Sequence, residues 1–204
     1  MIRGLYAITP EEQDTELLLA KVRQALQGGA SVVQYRNKRG TPSLRLEQAG
    51  VLRELTRGFA IPLIVNDDTA LAKQVDADGV HLGGEDGSVA AARALLGKDK
   101  IIGVSCYNRL SLAHTAATQG ANYVAFGAFF ASTVKPLAPV ATLDLLCRVR
   151  REINLPVVAI GGITTENGAS VLSAGADALA VISALFSAKD ITLAARQFAN
   201  LSIQ

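Results

Sequence analysis

Eight short apolar runs, each followed by a stretch of helical spacing, recur along this chain at a pitch of roughly 25 residues. The runs fall at residues 5–9, 31–36, 62–65, 79–82, 101–106, 123–127, 156–160 and 178–183. Helical patterns occupy residues 17–27, 44–56, a short stretch with Leu71, Ala72 and Val75, then 89–96, 110–119, 142–153, 166–173 and 192–200. Glycines at 28–29, 58, 97 and 120 suit helix C-caps, and Thr142 suits an N-cap. The runs LIV, VVAI and ALAVI are nearly continuous in apolar residues, as parallel strands buried on both faces require. Eight such units predict a single-domain α/β chain, a (β/α)8 TIM barrel over residues 1–204. A doubly wound open sheet is the alternative, weakened by the lack of a G-x-G-x-x-G after the first strand. A coarser echo accompanies the repeat: Gly29-Ala30, Ala77-Asp78, Gly120-Ala121 and Gly175-Ala176 each precede an even-numbered strand, while Pro62 and Pro156 open odd ones.

Composition narrows the function. Half of the 204 residues are hydrophobic and 5% are aromatic, which favours a Val/Ile/Leu/Ala interior over an aromatic binding surface. Lys plus Arg number 20 against 18 Asp plus Glu, and no basic tract occurs, so a nucleic-acid partner is not expected. The longest apolar stretch, 174–186, is broken by Asp177 and too short to span a bilayer. The start, MIRGLYAITPEEQ, carries no apolar signal region. Cys106 and Cys147 form neither a disulfide framework nor a metal cluster. A cytoplasmic protein is expected, without membrane partners; association into a homo-oligomer is left open.

The segment 62–86, PLIVNDDTALAKQVDADGVHLGGED, is the most informative. It reads strand–helix–strand, so its strands are parallel and end on one side of the sheet. Asp67 and Asp86 then face one cleft, where two carboxylates repel unless a cation lies between them. Oxygen ligands suit magnesium, and magnesium suits a diphosphate; the competing reading is two solvated loop acids. Other strand ends add Gln34, Arg36 and Lys38, then Asn66, Ser105, and the loop residues Ser132, Thr133 and Lys135. Gly161, Gly162, Ile182 and Ser183 follow the last two strands. Gln34, Arg36 and Lys38 alternate at period two and are expected to point one way, with Arg and Lys for phosphate and Gln for a heterocycle edge. Backbone N–H groups after strands seven and eight stand where barrels bind phosphate. No nucleophile–base pair is evident. His81 reads as a satisfied interior histidine, His114 as a helix-surface residue, Cys106 as a plain buried thiol, and Asp68 and Glu85 as solvated neighbours.

Taken in order, LYAIT, VQYRNK, LIVNDD, GVHLGGED, IIGVSC, YVAFGAFFASTVKP, VVAIGGIT and ALAVIS resemble the successive motifs of the thiamine-phosphate synthase (thiamine monophosphate pyrophosphorylase) family, and they cover almost the whole chain. The resemblance implies a Mg2+-dependent transferase on a (β/α)8 barrel. It would join hydroxymethylpyrimidine diphosphate to a thiazole phosphate, giving thiamine phosphate and diphosphate through a carbocation-like substitution. By motif position, Gln34, Arg36, Lys38 and Asn66 would hold the pyrimidine diphosphate, and Asp67 and Asp86 the magnesium. Ser105 and Lys135 would contact the pyrimidine substrate and its leaving group; Lys135, Ser105 and Arg36 would be catalytic. Ser132, Thr133, Val134, Gly162, Ile182 and Ser183 would line the thiazole phosphate site. Val134 replaces the family's usual threonine, Ala131-Ser132 a Pro-Thr pair, Gly84 a glutamine and Asp68 an arginine. Rival readings are a thiazole tautomerase, which needs no paired aspartates, a noncatalytic binder of thiamine precursors, and a phosphate-sugar isomerase, which needs a Glu or His base at a strand end.

Overall fold

A computed structural model describes residues 2–83, 87–130 and 141–201. Its strands are β1 Gly4–Ile8, β2 Ala30–Tyr35, β3 Leu63–Asn66, β4 Gly79–Leu82, β5 Ile101–Tyr107, β6 Tyr123–Phe126, β7 Val157–Ile160 and β8 Ala178–Val181. All pair in parallel, each with its neighbour in sequence, and β8 closes on β1, making a barrel. The open sheet is thereby excluded. The helices are α1 Thr15–Gln27, α2 Pro42–Gly58, α3 Thr69–Gln74, α4 Val89–Leu96, α5 Leu110–Thr118, α6 Leu143–Glu152, α7 Gly168–Ser173, α8 Ser183–Phe186 and α9 Ile191–Leu201. None of the described helices is long and apolar enough to cross a membrane.

Strand parity divides the core in two. Leu5, Val33, Leu63, Val80, Val157 and Leu179 point outward into the layer shared with the helices. Their neighbours Tyr6, Val32, Ile64, Val158 and Ala180 point inward and fill the barrel. The interior is not purely aliphatic, contrary to what composition favours: Tyr6 and Tyr123 lie fully buried at its centre. They fit because β5 carries Gly103 beneath them. A Cβ there would lie 2.0 Å from Cζ of Tyr123, so this position admits no side chain while the phenol occupies that space.

Helix starts follow local chemistry. Side chains of Asp14, Thr41, Asp68, Ser88 and Thr142 each accept a hydrogen bond from the backbone N–H three residues on. Thr142 is thus the N-cap its sequence suggests. Asp68 is not merely a solvated acid, because it caps α3 and pairs with Arg45 at 3.4 Å.

The echo before even-numbered strands has a structural basis at the N-terminal end of the barrel. Asp78, Asn122 and Asp177 lie just before β4, β6 and β8. Their side-chain oxygens accept the backbone N–H of Leu63, Ile102 and Val157, each at 2.8 Å, in the preceding strand. Arg53, Arg93 and Arg150, from α2, α4 and α6, each reach the same side chain at 2.8, 2.7 and 3.3 Å. One side chain thus locks two strands and a helix, three times around the barrel. Pro62 and Pro156 precede their strands rather than belonging to them. Lacking an N–H, they contribute carbonyls, to Val33 and Val124, both at 3.1 Å.

Strand boundaries differ from the sequence reading by at most two residues, and two of these differences bear on the site. β5 runs on to Tyr107 with a register shift against β6 after Ser105. β8 stops at Val181, and Ser183, placed in the strand by the apolar pattern, instead opens the four-residue helix α8. A run that is apolar throughout has no periodicity to mark where strand becomes helix.

Candidate active site

The C-terminal mouth of the barrel opens into a cavity of about 320 Å3. Gln34, Arg36, Asn66, His81 and Ser105 line one side, and Gly161, Gly162, Ile182 and Ser183 the other. Ile8, Ala125, Val158, Ile160 and Ala180 form apolar wall between them. The cavity thus has two polar ends separated by an apolar middle.

The β2 end is anchored from below. The Thr9 hydroxyl accepts the N–H of Arg36 at 2.9 Å, and the Thr9 N–H reaches the Gln34 carbonyl at 2.9 Å. The following turn hangs on buried Gln48, whose Oε1 accepts from Tyr35 and Asn37 at 2.9 and 3.1 Å. Gln34 is buried in the floor, while Arg36 rises to the rim, where its guanidinium meets Glu11 at 2.9 Å. Lys38 departs from the expected common direction. The strand ends at Tyr35, so period two no longer governs it. Lys38 lines a neighbouring cleft with Asp67, Asp68 and Arg45, and its Nζ lies 2.9 Å from Oδ2 of Asp67. Asn66 borders both cavities and joins them.

Asp67 itself has φ 63°, left-handed backbone that a non-glycine residue adopts only when its surroundings impose it. Its N–H donates to the carbonyl of His81 at 2.8 Å, which fixes the turn, and its carboxylate lies in the neighbouring cleft beside Lys38. Asp86, the second expected ligand, lies outside the described residues, as do Gly84 and Glu85. So do Ala131, Ser132, Thr133, Val134 and Lys135. Among the described residues no three His, Cys, Asp or Glu side chains converge. One carboxylate in the neighbouring cleft fits magnesium, which takes few protein ligands and completes its shell with water and substrate phosphate.

On the far side, Gly161 and Gly162 have φ 102° and 62°, and a Cβ on Gly161 would lie 2.4 Å from that of Ala128. Asn167 Nδ2 donates to the Gly162 carbonyl at 3.0 Å and holds this turn. Gly162, Ile182 and Ser183 are brought together as expected, with Ser183 at the start of α8.

Residues 5–185 match the family model for thiamine monophosphate synthase. The chain belongs to this family. Curated thiamine-phosphate synthases from Methylobacillus flagellatus and Thiobacillus denitrificans are 58% and 54% identical, covering 98% and 97% of this chain and 95% and 94% of theirs. The solved thiamine phosphate pyrophosphorylase of Pyrococcus furiosus superposes with a TM-score of 0.89 at 36% identity, covering 98% of this chain and 95% of that one.

In this thiamine monophosphate synthase family member, the residues least visible in the sequence are Tyr6 and Tyr123. Tyr6 Oη lies 2.7 Å from Tyr123 Oη, which lies 2.9 Å from His81 Nδ1; His81 Nε2 lies 2.8 Å from Ser105 Oγ. Gln34 Nε2 donates to Tyr6 at 3.0 Å. The only sequence signal was parity: all five occupy inward positions of their strands. His81 is the satisfied interior histidine expected, His114 pairs on the surface with Glu152 at 3.0 Å, and Cys106 is an inert thiol that burial pushes up to about 12.

Burial also pulls His81 down to about 4, against a smaller opposing pull from Asp67. The unfolded chain, with an ordinary imidazole near 6.5, therefore takes up a proton before the native one does. Stability present above about pH 6.5 should fall as pH drops towards 4, by up to about 1.4 kcal/mol per unit from this group. Chemical denaturation across that window checks this; a His81→Gln variant should show a shallower dependence.

Proposed function

We propose that this chain is a thiamine-phosphate synthase that joins hydroxymethylpyrimidine diphosphate to a thiazole phosphate and releases diphosphate. The observation that carries the reading is a pocket with a floor of neutral side chains and Arg36 at its rim, joined through Asn66 to a cleft where Lys38 meets Asp67. The pyrimidine would lie on that floor, with Gln34 and Ser105 on its edge. Its diphosphate would extend over Asn66 to the rim, and the thiazole phosphate would sit opposite, against Gly162, Ile182 and Ser183.

Asp67, with Asp86, would hold magnesium, which when bound neutralises charge on the departing diphosphate. Arg36 and Lys38 are already paired, with Glu11 and Asp67. Each would exchange or share its carboxylate for phosphate oxygens as substrate binds. Lys135 would add a third cation to the leaving group, and Ser132, Thr133 and Val134 would line the thiazole phosphate site. The C–O bond to the diphosphate breaks, the electron pair leaves with the phosphate oxygen, and the aminopyrimidine ring spreads the positive charge. The thiazole nitrogen then donates its lone pair to that carbon. No proton need be removed, in keeping with a neutral floor. The residues position the two partners and exclude water. All of this chemistry suits a cytoplasmic, small-molecule enzyme.

The test is an assay with both substrates, with and without magnesium. Thiamine phosphate and diphosphate should form in equal amounts, and excess chelator should abolish turnover. Binding of the precursors without diphosphate release would overturn the synthase reading, and undiminished turnover in chelator would overturn the metal's role.

A further inference from the structure

The five floor residues form one unbroken hydrogen-bonded line across the barrel, from β2 through β1, β6 and β4 to β5. Donors and acceptors along such a line cannot be chosen independently. Gln34 Nε2 donates to Tyr6. The Tyr6 proton is then directed to Tyr123, 2.7 Å away, and the Tyr123 proton to Nδ1 of His81, 2.9 Å away. An imidazole accepting at Nδ1 carries its proton on Nε2, which donates to Ser105 at 2.8 Å. The Ser105 proton is left for the cavity, as is the carbonyl oxygen of Gln34, whose nitrogen is engaged below. Reversing this order demands that the amide turn over, that both phenol protons and the serine proton swing round, and that the imidazole change tautomer, all together.

We propose that Tyr6, Tyr123 and His81 are positioning residues that set the hydrogen-bond polarity of the pocket, presenting an acceptor at Gln34 and a donor at Ser105, so that the site selects an aminopyrimidine over its oxo counterpart. An aminopyrimidine offers an N–H donor from its exocyclic amine and a lone pair on a ring nitrogen. A 4-oxopyrimidine offers a carbonyl acceptor and a ring N–H, the opposite order. The surroundings keep the line ordered. The Tyr6 and Tyr123 rings meet edge to face at 6.0 Å, His81 stacks on Tyr123 at 5.5 Å, and burial raises both phenols and keeps the imidazole neutral. Neutral members let the line carry direction without carrying charge. The inference rests on the synthase reading above for the identity of the ligand.

The experiment compares kcat/KM for the 4-amino pyrimidine diphosphate and its 4-oxo analogue, each with thiazole phosphate. It uses the wild-type chain, Tyr123→Phe and Tyr6→Phe. Wild type should prefer the amine by about a thousandfold or more. Tyr123→Phe cuts the line at its middle and should narrow that preference by about tenfold to a hundredfold, with the change mainly in KM. Tyr6→Phe, which frees only the Gln34 end, should narrow it less. A purely structural role would lower both substrates alike and leave the ratio unchanged; an unchanged ratio in folded variants overturns the inference. Histidine 15N shifts of the wild type provide a test that needs no variant. With only two histidines in the chain, His81 is readily assigned, and it should be protonated at Nε2 and bare at Nδ1. A proton on Nδ1 would overturn the proposed order. A wild type that makes no thiamine phosphate would sink the synthase reading instead, and the tautomer would still decide the polarity of the line.

Discussion

An Asp67→Asn variant should lose about a hundredfold to a thousandfold in turnover while keeping the wild-type unfolding midpoint. The midpoint should hold because asparagine tolerates left-handed backbone about as well as aspartate, so the φ of 63° at this position can persist. What changes is the charge. A neutral amide is a poor magnesium ligand, and it no longer restrains Lys38, whose ammonium lies 2.9 Å from the native carboxylate. Those two consequences can be separated. If the loss came only from a misplaced Lys38, Lys38→Met would reproduce it and the magnesium requirement would be unaltered. If it came from the metal, Asp67→Asn would need far more magnesium for half-maximal rate, while Lys38→Met would not. Turnover within a few-fold of wild type, at the same magnesium concentration, would remove Asp67 from the proposed metal site.

Gly103→Ala should be strongly damaging for a single added methyl group. Its carbon would overlap the Tyr123 ring, at 2.0 Å from Cζ and 2.3 Å from both Cε1 and Oη. The ring is fully buried between Tyr6 and His81, so it cannot move without breaking the hydrogen-bonded floor. Overpacking of this kind costs about 1–3 kcal/mol and sometimes more. For a chain of this size each kcal/mol lowers the unfolding midpoint by about 2–4 °C. Activity should fall further than stability explains, since Ser105 loses its support through His81. Calorimetry and the two-substrate assay on the same sample check both parts. A variant with unchanged midpoint and rate would show that the barrel interior is looser than its packing implies.

The site was legible in proportion to how much of its chemistry is local. Asp67, Asn66, Gly162 and Ser183 follow strands directly, and residues just past parallel strand ends share a face once the strands are assigned. Lys38 was misdirected because period two holds only within a strand, and β2 ends three residues earlier, at Tyr35. Glu11, which holds both Arg36 and Arg39, gave no signal, since it sits in a loop before α1 and meets them only across the barrel rim. The helix α8 was hidden inside an apolar run.

The alternation of apolar runs and helical spacing by itself determined eight parallel strands wrapped in helices, because burying both faces of each strand leaves few other solutions. The ordered motifs by themselves determined the family. Only the tertiary structure decided that Gln34, Tyr6, Tyr123, His81 and Ser105 form one line. They come from five different strands, and Tyr6 and Tyr123 are 117 residues apart. Hydrogen bonds across a barrel depend on closure and register, and these are set by the packing of the whole chain.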